Sequence, residues 1–231
     1  MLLSTSDCRD AEAAEKVEIG KVLIFWRGVV MQIFRIVPLI GLALLAGCAD
    51  APKKAATKEP VKAPEAVTGQ WAFFHMYVGA RAWAADAQGV KLTSVNLAEV
   101  KGTPGKSGAW QVTFASASRQ ATKTFTYSAV DAPGNIRQGT FSDKEDGLNP
   151  RTKSFPMAAL KIDSDAAYKV AAEKTAEYLK KNPNTAVTFL LEVSERHNTV
   201  AWRVIYGESV GTSAESVFVD ATSGQYLETR H

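Results

Sequence analysis

Two stretches far apart in the chain alternate apolar and polar side chains in the same manner, AWQVTF at 109–114 and AWRVIY at 201–206. Trp110, Val112 and Phe114 in the first, and Trp202, Val204 and Tyr206 in the second, occupy every other position. That period puts them on one face of a strand and predicts two half-buried strands. At equal distance downstream lies a second alternating set, Phe125, Tyr127 and Ala129 against Val217, Val219 and Ala221. Each set runs into a turn, APGN at 132–135 or TSGQ at 222–225, where glycine supplies the positive φ of a hairpin. The closing strands NIRQGTF and QYLETR complete both series. Upstream, LTSVNLAEV at 92–100 answers AVTFLLEV at 186–193, and both end in Glu-Val.

Ahead of these strands the period lengthens. Phe73, Met76, Tyr77, Ala80, Trp83 and Ala84 recur every three or four residues and predict a first helix, ended by Gly89. Ala167, Val170, Ala171, Tyr178 and Leu179 predict a second, capped by Asp163 or Ser164 and ended by Lys180, Lys181 and Pro183. The expected fold class is α+β: two tandem helix-plus-antiparallel-sheet modules at 68–141 and 163–231, joined by a connector at 142–162. Trp71, Phe73, Phe74, Tyr77 and Trp83 exceed what one core-facing stripe requires. The expectation is a first helix buried on two sides, between its own sheet and the second module. The alternative is an exposed aromatic groove for a peptide, glycan or lipid, with Trp71, His75, Arg81 and Trp83 as its binding residues.

This pattern resembles the PepSY-like family of small bacterial envelope domains. AWRVIYG followed by VFVDATSGQYLE is similar to that family's strand, hairpin and final strand, over residues 163–229, with 68–141 a weaker echo. The resemblance implies a helix packed on an antiparallel sheet and an extracytoplasmic role, inhibitory or ligand-binding. It brings no catalytic residues to carry over.

The N-terminal part follows different rules. From Met31 the chain reads MQIFRIVPLIGLALLAGC, with one positive charge at Arg35, an apolar stretch from Ile36 to Ala46, and then small residues. That stretch fits the apolar region of an export signal (about 7–15 residues) and is shorter than the ~20 a spanning helix needs. Leu45-Ala46-Gly47-Cys48 resembles the bacterial lipoprotein lipobox. The resemblance implies cleavage between Gly47 and Cys48, a diacylglycerol thioether on Cys48, and acylation of its new amino group. Each buried methylene contributes about 0.8 kcal/mol, so several acyl chains anchor stably where one would not. Residues 1–30 carry Asp7, Asp10, Glu12, Glu15 and Glu18, which suit no signal, so Met31 is the expected start and 1–30 an upstream extension. After Cys48, a tether to about residue 67 is stiffened by Pro52, Pro60 and Pro64 and solvated by its lysines. Ala49 directly after Cys48, where an inner-membrane retention signal would carry aspartate, points to the periplasmic side of the outer membrane in a diderm host.

Composition narrows the function. A chain of 231 residues with 46% apolar and 22% charged side chains is that of an ordinary globular protein. A formal charge of +3, with lysines concentrated in the tether, offers no stripe for nucleic acid. The only cysteines, Cys8 and Cys48, lie outside the part expected to fold, so no disulfide framework is expected. GESVG at 207–211 matches a nucleophile elbow, with Asp220 and His231 downstream. An elbow requires a helix after the serine, and here another strand follows. Of the three histidines, His75 is expected as a partly buried, hydrogen-bonded helix residue and His197 as a loop residue, with no His-x-x-x-His or Cys-x-x-Cys pair to hold zinc. In SDKEDGLNP, an EF-hand register would place Lys144 and Lys153 at ligand positions, where they cannot coordinate calcium. No metal or cofactor is expected.

The sequence therefore points to a lipid-anchored, non-enzymatic binding or inhibitory module of the cell envelope. Its expected partners are the membrane, through the lipid on Cys48, and an envelope protein or small ligand. A structural or assembly lipoprotein is the second reading, and a serine hydrolase built on Ser209 the remote third.

Overall fold

The structure is a computed structural model and describes residues 63–231. The expected extension at 1–30, the signal at 31–47, Gly47, Cys48, Cys8 and the tether up to residue 62 lie outside the described residues. Among the described residues, no helix is long and apolar enough to cross a membrane.

Among the described residues, ten strands and three α-helices follow one another as β1 (Val67–Thr68), α1 (Gly69–Trp83), β2 (Gln88–Val95), β3 (Lys106–Ser107), β4 (Ala109–Ser116), β5 (Ala121–Ser128), β6 (Gly139–Gly147), α2 (Ser164–Lys174), α3 (Ala176–Lys181), β7 (Val187–Ser194), β8 (Thr199–Tyr206), β9 (Glu215–Asp220) and β10 (Tyr226–Arg230). β1 and β3 pair with each other, and the other eight strands form one antiparallel sheet in the order β10-β9-β8-β7-β2-β4-β5-β6. The fold is α+β. A helical segment followed by a four-stranded antiparallel run occurs twice, and the leading strands of the two runs, β2 and β7, pair at the middle of the sheet. Leu92 faces Leu191 across that seam, and both are fully buried.

Alternation decides which side chains meet the helices. Trp110, Val112 and Phe114 of β4 and Trp202, Val204 and Tyr206 of β8 all enter one hydrophobic core, together with Phe73 and Met76 of α1 and Ala167 and Ala171 of α2. Phe73 lies 5.2 Å from the Phe114 ring, and Tyr168 of α2 lies 6.3 Å from Phe189 of β7. α1 and α2 thus cover the same face of the sheet, α1 over β4 and β5, α2 over β8 and β9. The indoles bury their rings and satisfy their N–H groups on the chain entering each helix. Trp110 Nε1 donates to the Val67 carbonyl at 3.0 Å, and Trp202 Nε1 to the Ile162 carbonyl at 2.8 Å.

The helix starts interlock. Thr68 caps α1, and Asp163 caps α2 by accepting from the Ser164 N–H at 2.6 Å. The same Asp163 Oδ1 also accepts from the Gln70 N–H of α1 at 2.9 Å, and Ser164 Oγ accepts from the Gly69 N–H at 2.8 Å. Gly69 leaves room for this junction: a Cβ there would come 2.6 Å from the Trp202 ring. Thr175 ends α2, and its hydroxyl donates to the Ala171 carbonyl and lies 2.8 Å from the Tyr206 phenol oxygen.

Several local expectations are corrected. The leading strand of the first run spans 88–95 rather than 92–100, and residues 96–100 leave the sheet. Gly89 does not end α1, which stops at Ala84 in an extended conformation; it sits inside β2 at a register shift and pairs with Phe155. A Cβ at Gly89 would stand 2.8 Å from the Phe155 ring, so close packing, not capping, requires glycine there. Residues 142–147, expected in a connector, form most of β6. This strand lies at the sheet edge, and Asp143, Lys144, Glu145 and Asp146 give it the charge that discourages pairing with another chain. Finally, α1 is not buried on two sides. The second helical segment covers β8 and β9 instead, and Trp71, Phe74 and Val78 on the outer side of α1 stay exposed.

Candidate functional site

The outer side of α1 carries Trp71, Phe74 and Val78, which are 39%, 41% and 73% exposed. Their spacing of three and four residues gives a continuous outward stripe opposite the buried Phe73, Met76 and Ala80. His75 is exposed rather than partly buried; it stacks on Trp71 with ring centroids 3.5 Å apart, and its Nδ1 lies 2.9 Å from the Trp71 carbonyl. The indole meets Tyr127 of β5 edge-on at 4.9 Å. Arg81 turns back along the helix to donate to the Tyr77 phenol at 3.3 Å.

Trp83 belongs to a different neighbourhood. Its Nε1 donates to Glu145 Oε1 of β6 at 2.8 Å, and Arg119 Nη2 donates to the same oxygen at 3.0 Å. The Trp83 bond, opposed by partial burial and reinforced by Arg119, holds the Glu145 carboxyl below the usual carboxylate range. The four expected binding residues therefore split. Trp71 and His75 form a stacked pair on the outer side, Arg81 pairs with Tyr77, and Trp83 is tied to the edge strand.

The face of the sheet opposite the helices holds a second site, missed by the sequence analysis. A groove of about 790 Å³ opens there, floored by Phe218 and flanked by Lys91, Arg151, Lys153, Arg196, Arg203 and Arg230. These residues come from β2, the connector, the β7–β8 turn, β8, β9 and β10. Arg203 Cζ stands 5.1 Å from the centre of the Phe218 ring and Arg230 Cζ 4.7 Å, so two guanidinium groups share one phenyl ring. Arg203 Nε donates to Ser216 Oγ at 3.1 Å, and Arg230 Nε to Glu228 Oε1 at 2.6 Å. Burial, and then the charge of Arg230, lowers the pKa of Arg203, although Glu192 and Glu228 pull the other way. Arg203 forms no ion pair within 4.0 Å among the described residues.

Glu228 is the hinge of the charge network. It accepts from Arg196 Nη1 at 2.7 Å as well as from Arg230. Burial raises its pKa, but Arg196, Arg230 and His197 together bring it below the ordinary value. His197 lies in the turn between β7 and β8, as expected. Its side chain is largely enclosed, Nε2 lies 3.4 Å from Glu228 Oε1 without hydrogen-bond geometry, and its ring is 6.1 Å from Phe218.

Ser209 of the GESVG motif and its downstream companions Asp220 and His231 each have other partners. Ser209 lies in the loop between β8 and β9, with its hydroxyl 2.9 Å from Thr212 Oγ1. Asp220 accepts from Thr199 Oγ1 at 2.7 Å and from the Thr222 and Ser223 N–H groups at the final turn. His231 Nδ1 faces Glu215 at 3.9 Å.

No protein-family model matches the chain, and no curated protein matches it in sequence. Among solved structures, that of a candidate lipoprotein from Clostridium difficile 630 is similar over 69% of this chain and 91% of its own, at 12% identity and a TM-score of 0.46.

Proposed function

We propose that the chain is an exported, lipid-anchored protein of the cell envelope whose described body is a non-enzymatic binding module made of two PepSY-like halves. One observation carries the binding role: α1 and α2 cover one face of the sheet, and the other face presents a charged groove built from both halves. Lys91 comes from the first run of strands, Arg203, Phe218 and Arg230 from the second, and Arg151 and Lys153 from the segment between them. A concave site with an aromatic floor and fixed charged donors is the arrangement that recognises a ligand. The address rests on the sequence, with Leu45-Ala46-Gly47-Cys48 at the end of the apolar run and a proline-rich tether after it. A lipid-anchored module needs clearance from the headgroups, which the proline- and lysine-rich composition of 49–67 suits. The inferred address is the periplasmic side of the outer membrane if the host is diderm.

The test is co-purification from detergent-solubilised membranes of the native host, with the wild-type chain and with Arg203→Glu. A ligand or protein recovered with the wild type and lost with the variant supports the reading. A stoichiometric protein partner retained by the variant would favour an assembly lipoprotein instead.

A further inference from the structure

The groove on the helix-free face carries more positive charge than its neighbours neutralise. Its cations are Lys91, Arg151, Lys153, Arg196, Arg203 and Arg230, against the carboxylates Glu192 and Glu195 in the lining and Glu228 beside it. Glu228 is already engaged by Arg196 and Arg230, and Glu195 lies 3.6 Å from Lys153. Arg203 stands apart from these pairs. It is half-buried, fixed at Nε by Ser216 and stacked over Phe218, with its terminal nitrogens making no hydrogen bond among the described residues. Burying a guanidinium beside a second one is costly unless an anion joins them. Folding therefore holds two like charges over one ring, and their attachments to Ser216, Glu228 and Phe218 fix both in place.

We propose that this groove binds a phosphate-bearing ligand, gripped by the guanidinium groups of Arg203 and Arg230, with Lys91, Arg151 and Lys153 at the rim. The inference rests on the reading of the described body as a binding module and is independent of the lipid on Cys48. Guanidinium forks match the oxygens of a phosphate through paired, charge-assisted hydrogen bonds, and a prearranged fork loses little freedom on binding. A phosphate's multiple charge suits the number of surrounding cations better than a single carboxylate would. The ring of Phe218 adds an apolar floor for whatever carries the phosphate. The phosphate could belong to a free small molecule or to a lipid headgroup, and the groove's chemistry is the same for both.

The experiment is calorimetric titration of the full chain in a nonionic detergent with inorganic pyrophosphate, dihexanoyl phosphatidic acid and malonate. Saturable binding of pyrophosphate alone is expected for a free phosphate ligand, and of the short-chain phosphatidic acid for a headgroup. Arg203→Gln and Arg230→Gln should each weaken that binding by about tenfold or more, since each removes charge-assisted bonds. Arg203→Lys should restore it only in part, because the charge returns without the fork. Lys169→Gln, at an exposed position of α2 on the helix side of the sheet, should leave it unchanged. Circular dichroism of each variant separates lost binding from lost folding, and two independent arginine variants keep the test decisive if one fails to fold. No saturable binding of either phosphate compound, binding indifferent to both arginine variants, or a preference for malonate would overturn the assignment. If membrane co-purification still depends on Arg203 in that case, the binding role stands and only the phosphate is wrong.

Discussion

Trp110 and Trp202 meet edge to face at the centre of the core, 6.3 Å apart, and each donates its indole N–H to the backbone carbonyl two residues before its helix. The equivalence is one of position as well as contact. Val67 precedes α1 by the same two residues that separate Ile162 from α2. Each tryptophan thus ties a strand to the entry of a helix, and the pair ties the two halves to each other. Trp202→Ala should lower the unfolding free energy by about 3–5 kcal/mol in urea denaturation. Trp202→Phe keeps most of the ring and loses the bond to Ile162, for about 1–3 kcal/mol. Gly69→Ala should destabilise as well, because its Cβ meets the Trp202 ring at 2.6 Å.

Asp163 serves two helices with one carboxylate oxygen, accepting from Ser164 of α2 and Gln70 of α1. An N-cap removed by alanine costs about 0.5–2 kcal/mol. Asp163→Ala should fall at or above the upper end of that range, and Thr68→Ala, whose bond to Trp71 is long at 3.4 Å, near the lower end. Equilibrium denaturation of the two variants side by side checks the order.

The seam between β2 and β7 makes the two halves one sheet around one core. Leu191→Ala, which empties the seam opposite Leu92, should cost about 2–5 kcal/mol. Unfolding should remain a single transition, and amide exchange should accelerate in β4 and β8 together. Protection lost in β8 alone would mean that the halves are stable separately.

Asp86 holds the turn after β4, accepting from Ser116 Oγ at 2.6 Å and from the Ser118 N–H at 2.8 Å. The Ser116 bond, then the Ser118 N–H, lower its pKa from 3.8 to about 2, against a smaller opposing effect of burial. A carboxyl depressed on folding stabilises above its unfolded value and loses that contribution as the pH falls through the folded one. Asp86 should therefore add a pH-dependent loss of stability between 3.8 and about 2. Urea midpoints across that window should fall less steeply for Asp86→Asn than for the wild type.

The strands around Trp110 and Trp202 were legible because each is covered on one face, so apolar residues alternate and the pattern is local. The cap of α2 was legible as Asp163 or Ser164 for a similar reason, since its signal lies within one turn, and the structure assigns it to Asp163. Most of β6 was not: the closing strand expected at 135–141 overlaps only its first three residues, because the rest of this edge strand carries charged side chains and has the composition of a loop. Gly89 misled because glycine marks both helix ends and close approaches, and only the ring of Phe155 in three dimensions tells them apart. The groove escaped notice for a topological reason. Lys91, Arg203, Phe218 and Arg230 occupy outward positions on four strands, and their neighbourhood exists only once β7 pairs with β2. Trp71 and Trp83 looked like one aromatic set along the helix, yet they point to Tyr127 and to Glu145, at separate places on the surface.

The proposed envelope address rests on Cys48. Mass spectrometry of the mature protein from membranes of its native host should find an N-terminal peptide beginning at Cys48, carrying a diacylglycerol thioether and an acylated amino group. A peptide that runs unbroken through Gly47 into Cys48, with the thiol free, would contradict it.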